Sequence, residues 1–298
     1  MRRVNDNTKA IVSIIFVNVL WGLSFIASKR ALGAGFQPFS LALVRFGVSA
    51  VVLLPILYRR EGLTLPRGAL GRLLLSSLLG MTLYFLFEYG GLQRTSASTA
   101  SLIIAAVPAF TLLSGAIFRR RRYPPVCYLG VLGSLAGVYL IVRYGANGGG
   151  DSLVGNLFIL CAALCWVGYI EVTDALMTAH SSLQITCWQS VLGALTLIPC
   201  ALTERVDWAA IEPVGWIMAL YLSLLCSVVA YLLYVGAIRV LKPFQTSLFI
   251  NINPLAAVLG GVLLLGETVT PVQLIGGAAV LVSIFVVNRS SIPAKRGA

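Results

Sequence analysis

The sequence predicts an all-α integral membrane protein, with ten transmembrane helices arranged as two inverted five-helix repeats. Three observations lead there. Of the 298 residues, 58% are hydrophobic and only 11% charged, against about 25% charged in a soluble domain. A water-soluble globule of this size cannot bury so much apolar surface. The apolar residues also gather into runs of about 20, the length that crosses a bilayer as a helix. Finally, the chain contains one stretch twice: Gly90–Tyr139 lies on Gly236–Phe285 without a gap, a displacement of 146 positions. The matches include Gly90/Gly236, Ser101/Ser247, Ile104/Ile250, Pro108/Pro254, Gly115/Gly261, Pro125/Pro271 and Gly130/Gly276. A period near half the chain marks a duplicated unit rather than a short-repeat solenoid.

In chain order, the polar and basic start MRRVNDNTKA leads into a first span, Ala10–Ser28. No small-residue cleavage motif closes that run, so it reads as a retained helix and not a signal peptide. Gly33-Ala34-Gly35 turns the chain into a second span, Phe39–Leu57, and Pro66-Arg67-Gly68 into a third, Ala69–Gly91. The fourth, Ala97–Phe118, ends at Arg119–Arg122, and Pro124-Pro125 opens the fifth, Val126–Val142. Gly145 to Asp151 is the longest glycine-rich stretch and reads as a linker. After it come Leu153–Thr173, Leu183–Leu202, Val214–Ile238, Phe244–Leu265 and Val272–Asn288, with Lys242-Pro243 and Gly266-Glu267 as short connections. The expected organisation is a half at 1–144, a linker at 145–152 and a half at 153–298. The duplication reaches further than its best stretch: Trp21 answers Trp166, and Leu53-Leu54-Pro55 answers Leu197-Ile198-Pro199. Five spans per half is an odd number, so the copies enter the membrane from opposite sides, with a binding site expected between them near the midplane.

Orientation follows from Lys and Arg. Arg2, Arg3, Lys9, Arg59, Arg60, Arg67, Arg72, Arg119–Arg122, Arg239, Lys242, Arg289, Lys295 and Arg296 fall on the side of the N-terminus. Only Lys29, Arg30, Arg94, Arg143 and Arg205 fall opposite, and Arg45 lies within a span. Both termini are therefore expected in the cytoplasm, in a multi-pass protein of the plasma (inner) membrane. The net charge of +12 is explained by this topology and calls for no nucleic-acid partner. Membrane lipids are the expected surroundings, and the arginines at 119–122 suit anionic headgroups. The sequence leaves the oligomeric state open; a monomer is compatible with it.

The single histidine, His180, and six scattered cysteines give neither a disulfide framework nor a metal-ligand set. Cys161 and Cys165 share a helix face, which suits packing as small apolar residues. No cofactor is implied, and there is no Gly-x-x-x-x-Gly-Lys-Ser/Thr pattern for nucleotide binding.

The repeated unit resembles the EamA-type half of the drug/metabolite transporter superfamily. The residues that carry the likeness are Trp21-Gly22-x-Ser24-Phe25, Leu43-Val44-Arg45-Phe46, Tyr89-Gly90-Gly91-Leu92, Thr95-Ser96-Ala97 and Pro108 in the first copy. In the second copy they are Asn253-Pro254-Leu255 and Gly266-Glu267-Thr268-Val269-Thr270-Pro271. Two departures stand out: Arg120-Arg121 replaces the family's Gly-Glu pair after the fourth span, and Trp166-Val167-Gly168 replaces Trp-Gly. The resemblance implies a transporter, most often an exporter, and leaves the cargo open among amino acids, amines, drugs and sugar-phosphate-like metabolites.

Ionisable groups inside spans are costly and mark functional candidates. Glu88 and Glu171 are the candidates for proton coupling. Glu88 has Arg45 or Arg94 as a possible structural partner, and Glu171, with Asp174, a possible role as a helix-end cap. Arg45 is read as a snorkelling or structural charge near the surface. Asn18, Trp21, Phe25 and Lys29 fall on one face of the first span; Tyr84 and Glu88 share a face of the third. Trp166, Trp188, Tyr231 and Tyr234 add aromatic groups, which more often pack than bind. Asn251 and Asn253 flank the proline turn of the ninth span, where a helix has lost a backbone hydrogen bond; the first copy has Ala105 and Val107 there. Positions where the copies differ are therefore read as the substrate side, and shared Pro and Gly as scaffold. The expected function is a secondary active transporter that exports small metabolites, amino acids first and aromatic ones among them, by alternating access. The alternatives are carriage of drugs, amines or sugar phosphates, or a membrane-embedded enzyme acting on lipids. The second needs a catalytic constellation that these scattered carboxylates do not form.

Overall fold

The protein is helical throughout the residues described by its computed structural model, 2–65, 67–120, 122–144 and 152–291, and no strand occurs among them. The glycine-rich linker Gly145 to Asp151, Pro66, Arg121 and the tail beyond residue 291 lie outside the described residues. Helices α1 (Arg2–Gly33) and α2 (Pro38–Glu61) come first. The next apolar run consists of α3 (Leu70–Ser77), a π-helical turn Leu78–Leu83 and α4 (Tyr84–Leu92). Then follow α5 (Ala97–Ile104), α6 (Val107–Ile117), α7 (Pro125–Tyr144), α8 (Leu153–Leu176) and α9 (Ser182–Ala201). The final set is α10 (Pro213–Tyr221), a second π-helical turn Leu222–Val229, α11 (Ala230–Leu248), α12 (Asn253–Leu265) and α13 (Pro271–Ser291).

Local chemistry sets these boundaries. Pro38, Pro125, Pro213 and Pro271 open helices, where the missing N–H costs nothing. The Ser152 and Ser181 hydroxyls accept from the N–H groups of Gly155 and Gln184, both at 3.0 Å, capping α8 and α9. Among the described residues seven helical runs are long and apolar enough to cross a membrane, alongside shorter apolar helices at Pro125–Ile141 and Pro271–Ser283. One run is a single stretch, Pro213–Leu265, where a connection was expected at Lys242-Pro243. The chain makes that connection with one residue: Lys242 leaves helical geometry (φ 68°, ψ 161°) and the helix resumes at Pro243. Proline excludes helical geometry from the residue before it and is itself at home at a helix start.

Two further interruptions sit at matching places in the repeat. Helix α5 gives way to α6 at Ala105 and Ala106, just before Pro108, and a 3₁₀ turn Phe249–Ile252 precedes Asn253-Pro254. The π turns also correspond, Leu78–Leu83 falling on 224–229. Packing follows the same pairing. Helix α2 lies along α9, α7 along α13, α4 on α8 and α1 on α11. The α7–α13 contact is close: a Cβ on Gly137 would stand 2.5 Å from the Gly276 carbonyl oxygen. The outside is apolar, with Leu202, Phe118 and Leu263 about four-fifths exposed, while Asn18, Thr99 and Gln189 are fully buried. That inversion suits a lipid surround.

Two carboxylates late in the chain close helix starts early in it. Glu204 accepts from the N–H groups of Phe39 and Ser40, both at 2.7 Å, at the start of α2. Glu267 follows Gly266, whose left-handed φ of 66° ends α12. It accepts from the N–H of Ala97 (2.8 Å), the N–H of Ser98 (3.0 Å) and the Ser98 hydroxyl (2.7 Å), and pairs with Lys29 at 3.0 Å. Burial alone would raise the Glu267 pKa, but these donors and Lys29 hold it below the ordinary carboxylate range.

Candidate functional site

The interior closes around an aromatic cluster fed by α1, α4, α8 and α11. Trp21 and Trp166 meet edge to face with ring centres 5.2 Å apart. Tyr84 packs on Trp166 at 5.0 Å, and Tyr231 lies 5.6 Å from Trp21 and 5.9 Å from Trp166. Such tilted contacts suit the ring quadrupoles. The second π turn supplies the polar anchors. The Trp21 indole N–H donates to the Cys226 carbonyl at 3.0 Å, and the Ser227 hydroxyl donates to the Leu222 carbonyl five residues back, also at 3.0 Å. Ser227 also accepts from Nε of Arg45 at 2.6 Å. A π turn thus places both the tryptophan and the arginine, in keeping with the frequency of such turns at functional sites.

Between these groups lies a cavity of about 30 Å³ lined by Trp21, Ser24, Phe25, Arg45, Tyr84, Phe85, Glu88, Ile104, Trp166, Tyr231, Ile250 and Asn253. It holds roughly one or two waters and no metabolite. Arg45 and Glu88 are each 2% exposed. The guanidinium donates to the Tyr89 hydroxyl at 3.0 Å and rests over the Phe85 ring at 4.5 Å from its centre. Glu88 lines the same cavity as Tyr84 and Arg45 and interacts electrostatically with Arg45, without a contact close enough to be an ion pair. The Tyr231 hydroxyl and Asn253 Oδ1 are buried and have no hydrogen-bond partner among the described residues. Buried polar atoms are ordinarily satisfied, so both are available to a bound molecule or water.

Of the expected site residues, the structure brings Trp21, Phe25, Tyr84, Glu88, Trp166, Tyr231 and Asn253 to this one cavity. Tyr234 stands behind it, its ring 4.8 Å from Trp21 and 5.6 Å from Trp166. Asn18 is buried, its amide donating to the Ile14 carbonyl at 2.6 Å, and does not line the cavity. Asn251 is half-buried and also outside the lining. Trp188 lies apart, its indole N–H donating to the Thr64 carbonyl at 3.1 Å. Glu171 lies at one end of the bundle, paired with Arg119 at 2.6 Å, which also reaches Asp174 at 2.8 Å. Arg94 turns to the Gly90 carbonyl and the Phe158 ring and leaves Glu88 alone.

Arg45 corrects an expectation. Placed near the surface by its position two turns into a span, it is instead buried at the cavity wall, because α4 and the second π turn close over it through Tyr89, Phe85 and Ser227. Ser24, Phe85, Ile104 and Ile250 were also not foreseen. The matched pair Ile104/Ile250 carried a signal, since both flank the interruptions before Pro108 and Pro254. Among the described residues no group of three His, Cys, Asp or Glu could hold a metal ion.

Comparison with known proteins bears on the family and the fold. The profile of the EamA-like transporter family matches residues 8–143 and 153–289. An uncharacterized transporter of Archaeoglobus fulgidus is 26% identical over 94% of this chain and 97% of its own length. A probable terminal-alkyne amino-acid exporter of Streptantibioticus cattleyicolor is 27% identical over 98% of this chain and 97% of its own. A solved crystal structure superposes with a TM-score of 0.68 over 95% of this chain and 98% of that one. At 18% identity that likeness shows the fold alone. The chain is a multi-pass membrane protein and belongs to the EamA-like transporter family.

Proposed function

We propose that the protein is a secondary active transporter that exports small amphipathic metabolites, amino acids foremost and aromatic ones among them. It works by alternating access between two inverted halves, 1–144 and 153–298, joined at 145–152. Ten spans result when the run Pro213–Leu265 is divided at Lys242 and the two shorter apolar helices are included. The helix pairing supports the inverted relation. Helices α2 with α9 and α7 with α13 pair equivalents, while α4 on α8 exchanges with α11 on α1. The membrane is the inner membrane, with both termini in the cytoplasm.

The single observation that carries this reading is the interior cavity, which combines one cation, one acid and aromatic walls. Arg45 spends two of its five N–H groups on Ser227 and Tyr89 and keeps donors for a carboxylate. Glu88 offers an acceptor for an ammonium group, and Trp21, Trp166, Tyr84 and Tyr231 suit an apolar or aromatic side chain. The amino-acid exporter among the relatives supports the same class. Glu88 is the leading candidate for proton coupling because it lines the cavity, and Glu171 the second. A space of about 30 Å³ is too small for such cargo, so transport requires the halves to part. The test is counterflow in liposomes carrying the purified protein, with labelled phenylalanine, tryptophan and leucine, and amine and sugar-phosphate controls. Uptake of the aromatic amino acids that Glu88→Gln reduces is the expected result. Counterflow of none of the amino acids, with transport of a control, overturns the cargo assignment.

A further inference from the structure

Two sets of contacts at helix ends occupy the same places in the repeat and are built from different chemistry. At one end Glu267 fills the space over Gly261: a Cβ there would meet its Oε2 at 2.5 Å and the Ser98 hydroxyl at 2.6 Å. At the other end the matching glycine, Gly115, faces the Tyr123 hydroxyl, which a Cβ would meet at 2.7 Å. The residue 146 positions beyond Ser98 is Phe244, and the Tyr123 ring packs on Phe244 with centres 5.9 Å apart. Thus a carboxylate against a serine at one end corresponds to a phenol against a phenyl ring at the other.

The neighbouring charges are exchanged as well. The displacement that takes Trp21 to Trp166 takes Lys29 to Asp174. Lys29 pairs with Glu267 after α12, and Asp174 pairs with Arg119 after α6. The cation thus stands on α1 at one end, and at the other the acid stands on the corresponding helix α8. At that end α8 carries Glu171 and Asp174, and Arg119, just before the arginines that replace the family's Gly-Glu pair, reaches both. Each set of contacts joins the halves, Glu267 reaching α1 and α5, and Arg119 and Tyr123 reaching α8 and α11. Outside each lies an open depression, about 330 Å³ beside Lys29 and Leu265 and about 310 Å³ beside Arg119 and Asp174. Leu265 and Arg119 are themselves 146 positions apart.

We infer that these are the two gates of the cavity: a polar gate of Glu267, Lys29 and Ser98, and an aromatic and ionic gate of Tyr123, Phe244, Arg119 and Asp174. The inference rests on the transport reading for its purpose but not for its test. In a background with Cys127, Cys161, Cys165, Cys187, Cys200 and Cys226 replaced by alanine, Ser24→Cys places one thiol on the cavity wall. An impermeant maleimide is applied to vesicles of either orientation, and the labelling rate is read from each side. Glu267→Gln is expected to raise labelling by about fivefold or more from the Lys29 end only, the change that a modest shift in a two-state population gives. Lys29→Met, which leaves the α5 start capped, repeats it more mildly. Phe244→Ser and Arg119→Gln are expected to do the same from the opposite end only. Variants that keep the wild-type elution profile and melting temperature but open the same end, or leave labelling unchanged from both sides, overturn the assignment. Side-selective labelling without amino-acid counterflow would leave the gates standing and refute the cargo; counterflow with unselective labelling would do the reverse.

Discussion

Removing the Glu267 carboxylate tests how far one side chain holds the halves together. It accepts three hydrogen bonds at the start of α5 and pairs with Lys29, with its own side chain 7% exposed. Glu267→Ala leaves the Ala97 and Ser98 N–H groups without acceptors at a helix start, where the dipole already favours negative charge. Breaking a largely buried charged network of this kind costs about 3–5 kcal/mol. At roughly 2 °C per kcal/mol for a chain of this size, melting falls by about 6–10 °C. Glu267→Gln keeps the shape and one acceptor and loses about half as much by the same reasoning. The sign with pH is fixed by the depressed pKa. The carboxylate's contribution is fully present above the ordinary carboxylate range and is lost as pH falls through the lower folded value. Thermal unfolding in detergent at neutral pH and in acid measures both. A Glu267→Ala protein within about 1 kcal/mol of wild type at neutral pH refutes the reasoning, as does a wild-type advantage over Glu267→Gln that grows in acid.

Four other changes probe the core and the site. Gly137→Leu drives a side chain into the Gly276 carbonyl and Val280, whose Cγ2 is 2.9 Å from an added Cβ; it should cost about 3 kcal/mol or more. Gly47→Ala, with nothing within 4 Å, should be neutral or stabilise by up to about 1 kcal/mol. Trp166→Ala empties a position packed against Trp21, Tyr84 and Tyr169; unfolding should show a loss of about 3–5 kcal/mol, and counterflow should shift toward bulkier cargo. Arg45→Lys keeps the charge but cannot reproduce the fork to Ser227 and Tyr89 over Phe85. It should remain folded with counterflow reduced about tenfold or more; wild-type flux would place Arg45 outside the cargo path.

Much of the helical framework was legible because its signals are local. Apolar runs, prolines at helix starts and glycines at turns act within a few residues of themselves. Seven expected site residues met in one cavity because each was already odd for a lipid-facing helix. What escaped depended on which helix covers which. Arg45 looked interfacial by depth, and the cover that α4 and the second π turn give it is what buries it. Reading the substrate side from the positions where the copies differ was too coarse. Trp21/Trp166 and Ile104/Ile250 match and still line the cavity, whereas Asn251, a mismatch, does not. The π turns gave no sequence signal at all, since a widened turn is set by the fit of neighbouring helices rather than by residue type.

The chemistry at the two ends bears on direction, and it does so in a limited way. A carrier built from two identical halves would have its inward-open and outward-open forms at equal free energy when empty. Here the halves contribute unequally: Arg45 and Glu88, the charges of the cavity, both come from the first half, and the contacts at the two ends differ. Under the proposed alternating access, the two open forms would therefore differ in free energy, and the empty protein would rest on one side. That preference cannot by itself make an exporter, because a ligand shifts an equilibrium only by its differential affinity for the two states, and a cycle returns to where it began. Net export comes from a gradient coupled through a group that both sides reach in turn. Glu88 lies in the cavity and meets that requirement, whereas Glu171, held by Arg119 at one end, is reached from that end alone. On this reasoning Glu88→Gln should abolish accumulation against a gradient while leaving exchange of cargo measurable. Glu171→Gln should change access from the Arg119 end and leave coupling intact. Loss of gradient-driven flux in Glu171→Gln with Glu88→Gln unaffected would reverse the two roles.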